Sequence, residues 1–139
     1  MANTGVVAAL QAALAAENAA IYGYGVAGAY LAGSKQAAAI QDWTDHNEAR
    51  DTLSAMITRL RAVPAAAAAF YALPFPVHNS HAAMALAAYL EDGVTRAYLG
   101  VVAVDDPGLR AFGALAMQAP ARRAAYWRGR TQPFPGLVS

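Results

Sequence analysis

Residues 6–31, VVAALQAALAAENAAIYGYGVAGAYL, form a long apolar stretch with one charged side chain, Glu17. Val7, Leu10, Leu14, Glu17, Ile21, Tyr24, Gly28 and Leu31 follow one another at alternating short steps, the spacing of a helix seam that faces a partner. Glu17 therefore stands where an apolar residue is expected. A carboxylate on a buried seam is costly unless something pairs with it. Any fold for this chain must supply that partner.

The stretch is long enough to span a membrane. However, Gln11, Glu17 and Asn18 interrupt it, and most of its apolar residues are alanine, a weak hydrophobe. The opening MANTG lacks the positive charge of a secretory signal. The expectation is a cytoplasmic protein with no membrane association. Charged residues make up 14% of the chain and the net charge is +1. That balance gives no electrostatic footprint for nucleic acid and no basic block for an anionic membrane. The chain has no cysteine, which excludes disulfides, cysteine zinc sites and thiol catalysis.

The remaining punctuation divides a single domain, 1–139, into helices. The first is expected over about 4–33, capped by Asn3 or Thr4 and stopped by Gly33. Ser34 then caps a second helix, 35–62, whose seam reads Ala39, Trp43, His46, Arg50, Leu53, Ile57, Leu60. Asp42, Asp45, Glu48 and Asp51 fall mostly off that line, as a solvated face does. Residues 63–79 hold three prolines, Pro64, Pro74 and Pro76. Extended, this segment reaches roughly 50 Å, enough to run back along a helix about 42 Å long. Such a crossover makes helices 2 and 3 parallel, with a turn of helix expected in AAAAAFYA. Helix 3, 80–104, starts at Asn79 or Ser80 and carries Glu91 on an apolar stripe with Tyr98; Asp92 and Arg96 read as outward. Helix 4, 106–129, is capped by Asp105 or Asp106, with Pro107 in its first turn. Pro120 lies in its middle and is expected to kink it. An extended arm, 130–139, follows. Tight 1–2 and 3–4 turns and a long 2–3 connection specify an all-α four-helix bundle with one crossover.

A hairpin turning near Ser34 sets Glu17 level with Asp51, with Arg50 adjacent and His46 about one turn away. The second hairpin sets Glu91 level with Pro120, with Arg122 and Arg123 within a turn. The expected interior polar cluster is Glu17, His46, Arg50, Glu91, Arg122 and Arg123. Tyr22, Tyr24 and Tyr30 read as core residues with polar tips, and Trp43 and Trp127 as core or interface aromatics. Gly23, Gly25 and Gly28 spell G-x-G-x-x-G, but mid-helix they do not open a helix after a strand, so they are not a dinucleotide fingerprint.

The segment AAENAAIYGYGVAGAYL, a following helix with a seam histidine, the proline-broken crossover and a last helix ending AAYWRG resemble a bacterial ferritin-like domain family of unknown function. The resemblance implies a ferritin-like bundle, a superfamily known for carboxylate-bridged di-iron or di-manganese sites. Such a site takes a glutamate from each of two helices and Glu-x-x-His from the other two. Glu17 and Glu91 match the single glutamates and His46 a histidine. Trp43 stands where the carboxylate before His46 belongs, and Asp42 substitutes only in part. Helix 4 offers Ala119, Pro120, Ala121 and Arg122, with no ligand.

The expected function is therefore that of an uncharacterised ferritin-like bundle protein, non-catalytic, with interior ion pairs in place of a degenerate di-metal site. No metal or other cofactor is expected, and surplus apolar helix surface suggests a homodimer. One alternative is an iron- or manganese-binding oxidoreductase-like protein using Glu17, His46, Glu91 and Asp42. The other is a small-ligand carrier with a polar-floored cavity between helices.

Overall fold

The computed structural model describes residues 4–129. It holds five α-helices and, among the described residues, no strand: α1 (Thr4–Gly28), α2 (Gly33–Arg59), α3 (Ser80–Val102), α4 (Pro107–Ala116) and α5 (Gln118–Arg128). The last two are halves of one broken helix, so the chain is a bundle of four helical rods. Pro120 explains the break. Its ring has no N–H and would clash with the carbonyl of Ala116 in a continuous helix. The helix ends at Ala116, turns at Met117 and restarts at Gln118. The expected kink takes the form of a one-residue break at Met117, whose backbone stays in the right-handed helical region.

α1 and α3 form the centre. α1 packs against α2 and α3, and α3 packs against α4 and α5. Contacts from Glu17 to Tyr98 and from Tyr24 to Glu91 show that α1 and α3 run antiparallel. Glu17 to His46 and Gly28 to Gln36 show the same for α1 and α2. Helices α2 and α3 are therefore parallel, as a spanning crossover requires. α1 meets the length and apolarity of a membrane span. In this fold it is the central rod, with Leu10, Leu14, Glu17, Asn18 and Tyr24 buried.

The crossover contains no helical turn, contrary to the expectation for AAAAAFYA. It is held instead by α1. The Gln11 amide donates to the Val63 carbonyl at 2.7 Å and accepts from the Ala65 N–H at 2.9 Å. Further along, Tyr22 packs against Phe70 and Tyr71, and Val77 is buried in the core. Asn79 caps α3 through Ala82 N–H, and Asp106 caps α4 through Leu109 N–H, with Pro107 next to it.

One boundary differs in a way that matters for the site. α1 stops at Gly28, not near residue 33, and Gly33 is the first residue of α2 with φ +58°. Ala32 precedes it without a side-chain cap, so Ser34 does not cap α2. In an antiparallel hairpin, an earlier turn slides every facing pair by twice the displacement. The α2 residue facing Glu17 is therefore His46 rather than Asp51. The expected caps Asn3 and Thr4 lie at or outside the edge of the described residues. The arm 130–139 lies wholly outside them.

Candidate functional site

Glu17, His46 and Glu91 meet at the bundle centre, with exposures of 1%, 1% and 0%. His46 lies between the two carboxylates. Its Nδ1 is 2.5 Å from Glu17 Oε2 and its Nε2 is 2.9 Å from Glu91 Oε2. Both ring nitrogens face acceptors, so the protonated imidazolium, which donates twice, is the form that satisfies them. Burial alone would lower its pKa, but hydrogen bonds and charge from Glu17 and Glu91 outweigh burial and push it up to about 9.

Two tyrosines close the cluster. Tyr24 donates to Glu91 Oε2 at 2.6 Å and reaches Asp42 Oδ2 at 3.2 Å. Tyr98 donates to Glu17 Oε1 at 2.9 Å. Burial, followed by the neighbouring carboxylates, raises both phenol pKa values far above normal, so both remain donors. Each phenol replaces a water that a buried carboxylate would otherwise need.

A second layer joins α2 to α5, which do not pack backbone to backbone. Asp42 accepts from Trp127 Nε1 at 2.9 Å. Arg123 lies 3.0 Å from Asp45, 3.5 Å from Asp42 and 3.6 Å from Glu91 Oε1. That Glu91 oxygen is buried and has no hydrogen-bond partner. Burial raises the Asp42 pKa; Trp127 and Arg123 oppose the rise, while Glu91 adds to it. Burial works against the charge of Arg123, but Glu91, Asp42 and Asp45 raise its pKa regardless. Because the backbones stand apart, a cavity of about 250 Å³ remains between α2 and the α4–α5 rod. Glu17, His46 and Tyr98 line it, with Asp45 and Arg123 beside them and Phe112 and Ala116 among its apolar wall.

Four of the six residues expected in the interior cluster are there: Glu17, His46, Glu91 and Arg123. Two are not. Arg50 binds Asp51 at the surface because the hairpin register turns it away from Glu17. Arg122 is exposed, since its neighbour Arg123 takes the inward position on α5. Trp43, placed on the α2 seam, is 43% exposed, and Tyr30 also lies outside the core. Asp42 and Asp45 are not a solvated face, and Asp92 is buried against Arg128. The stripe that carries Glu91 also carries Tyr98, whereas spacing does not assign Trp127 and Asp45 to the cluster.

The donor set does not fit the metal pair that a ferritin-like resemblance implies. Both His46 nitrogens lie within hydrogen-bond distance of carboxylates, and the imidazolium that satisfies both leaves no ring lone pair for a cation. Arg123 adds a guanidinium beside Glu91 and Asp42, and a guanidinium repels a metal ion. Among the described residues, no group of three or more His, Cys, Asp or Glu side chains is placed to hold a metal. Glu17, His46, Glu91 and Asp42 are close together, but as a hydrogen-bonded ion network.

A family model for a domain of unknown function, DUF4439, matches residues 9–139. The chain belongs to this family. A DUF4439 chain of this shape is similar to a conserved hypothetical protein, rv2844, from Mycobacterium tuberculosis, whose crystal structure superposes with a TM-score of 0.87 at 29% identity. The likeness covers 93% of this chain and 98% of the other. No curated protein matches. The family match includes every member of the polar cluster.

Proposed function

We propose that this protein is a non-catalytic, ferritin-like bundle in which protein cations take the place of a metal pair. His46 carries the reading: it donates from both ring nitrogens to the two glutamates that a metal would otherwise bridge. Glu17 and Glu91 arrive from the two central helices, as the ferritin-like resemblance requires of metal ligands. The imidazolium lies between them, and Arg123 meets the outer oxygen of Glu91. On this reading the buried charge fixes the register of the helices, and the bundle acts as a scaffold.

The test is metal content, by mass spectrometry, of protein grown with iron, manganese and zinc, beside Glu17→Ala. The expected result is no stoichiometric metal in either protein. Near-stoichiometric metal that is lost in Glu17→Ala would overturn the reading. It would make Glu17, His46 and Glu91, with Asp42, the ligands of an oxidoreductase-like protein.

A further inference from the structure

Gly25 and Gly28 have no packing reason inside the chain. A Cβ at either would meet nothing within 4 Å, whereas one at Gly23 would strike Leu90. Glycine in a helix interior costs stability against alanine, and it is placed where another group must approach the backbone closely. Here the absent side chains leave an open hollow of about 390 Å³ between α1 and α2. Gln36 and Ala39 also line it, and Ile40 and Trp43 stand beside it. Ile40 is 59% exposed and Trp43 43%.

The outer face of α2 around these two side chains carries no charge. Gln36, Ile40, Trp43 and Asn47 follow one another at steps of 4, 3 and 4, which sets them on one face. Its amide and hydroxyl donors are already used within the chain. Gln36 Nε2 donates to the Gly28 carbonyl at 3.4 Å, Thr44 Oγ1 to the Ile40 carbonyl at 3.0 Å, and Asn47 Nδ2 to the Trp43 carbonyl at 2.8 Å. Covering the face therefore strands none of these donors.

We propose that a second copy of the chain covers it, with the two α2 helices antiparallel about a two-fold axis between Ile40 and Trp43. Such an interface needs a patch that complements itself. This patch holds both an exposed indole and a hollow with room for one, since a cavity of about 150 Å³ already takes benzene. In the antiparallel arrangement Trp43 of one copy falls level with Ile40 of the other. Gly25 lies near that level on α1, because the hairpin sets Tyr24 beside Asp42. Each indole therefore meets the other copy's hollow. The charges at the ends match as well. Asp51 falls level with the start of α2 in the second copy, which has no side-chain cap and no acidic residue in its first turn. Arg50, bonded to Asp51, lies on the α1 side and falls level with the turn that follows α1. An acid at a helix N-terminus and a base at a C-terminus are both favourable. A partner of another kind would have to bring its own knob and its own hollow, whereas a copy has both by symmetry. This goes beyond the scaffold reading and is independent of metal content.

The test is the oligomeric state of the full chain. Sedimentation equilibrium at micromolar to submillimolar concentration is expected to show monomer and dimer in exchange. Gly25→Leu fills the hollow, and Trp43→Ala removes the indole. Each should weaken the dimer about tenfold or more, the weight of a buried interface tryptophan, with far-UV circular dichroism unchanged. The chain has no cysteine, so an introduced one is unique. Under mild oxidation Ile40→Cys, beside the axis, should link two copies, and Asn47→Cys, further along α2, should not. A chain that stays monomeric, including one whose hollow takes free indole instead, would overturn the proposal. So would a dimer undiminished by both substitutions, or linkage through Asn47→Cys rather than Ile40→Cys.

Discussion

The Tyr24 hydroxyl donates to Glu91 across the α1–α3 interface at 2.6 Å, on the same carboxylate oxygen that His46 holds. Tyr24→Phe deletes this bond and the longer one to Asp42 without opening a cavity. Hydrogen bonds to charged groups contribute about 1.5–3 kcal/mol. Glu91 Oε2 keeps His46 and Asp42 keeps Trp127, so a loss of about 2 kcal/mol is expected. Urea unfolding would show it as a lower midpoint at unchanged slope.

The raised pKa of His46 makes stability depend on pH. The imidazolium has an ordinary pKa of 6.5 and reaches about 9 in the fold. Below 6.5 both states are protonated and its contribution is fully present. Between 6.5 and 9 the unfolded chain sheds the proton while the folded protein keeps it, so stability falls. Above 9 the contribution is gone. The total is about 3 kcal/mol, because each tenfold gain in proton affinity on folding contributes ~1.4 kcal/mol. Denaturation curves from pH 6 to 9.5 should show this decline, and Glu17→Gln, which removes one charged partner, should flatten it.

Arginines on neighbouring positions should differ sharply. Arg50→Ala and Arg122→Ala touch only the surface and are expected to change stability by less than about 0.5 kcal/mol. Arg123→Ala strands Asp42, Asp45 and Glu91 without their shared cation and should cost about 2 kcal/mol. Equal effects at all three positions would contradict the assignment of Arg123 as the inward arginine.

Two glycines that face α3 from different helices give a steric contrast. A Cβ at Gly113 would lie 3.0 Å from Val102 N and 3.1 Å from the Tyr98 carbonyl, against backbone that cannot move independently. Gly113→Ala should force α4 outward and destabilise by about 1–2 kcal/mol. A Cβ at Gly23 meets only the end of the Leu90 side chain. Leu90 is half-buried and able to turn aside. Helix propensity favours alanine by about 1 kcal/mol, so Gly23→Ala should be near neutral by thermal denaturation.

The seam spacing made Glu17, His46 and Glu91 legible as interior residues, because a charged side chain on an apolar stripe is conspicuous in a chain this poor in charge. The proline count marked the crossover, and with it the parallel α2 and α3. The sequence did not reveal the register. Gly33 looks like a helix stop, but its positive φ opens α2 instead. That small displacement brought His46, expected about one turn away, level with Glu17 and left Arg50 at the surface with Asp51. Asp42, Asp45 and Asp92 resembled a solvated face because their partners Arg123, Trp127 and Arg128 lie on a distant helix. No local pattern on α2 or α3 encodes those meetings. The choice between Arg122 and Arg123 turned on helical phase near Pro120, where the rod is broken at Met117.

The bond from Trp127 to Asp42 also gives the protein an internal optical gauge. The chain has two tryptophans. Trp43 is 43% exposed on the outer face of α2, whereas Trp127 is 3% exposed and anchored across the α2–α5 gap. An exposed indole emits toward the red and a buried one toward the blue. With Trp43 replaced by phenylalanine, the remaining emission colour reads, without a label, whether Trp127 stays buried against Asp42 across that gap.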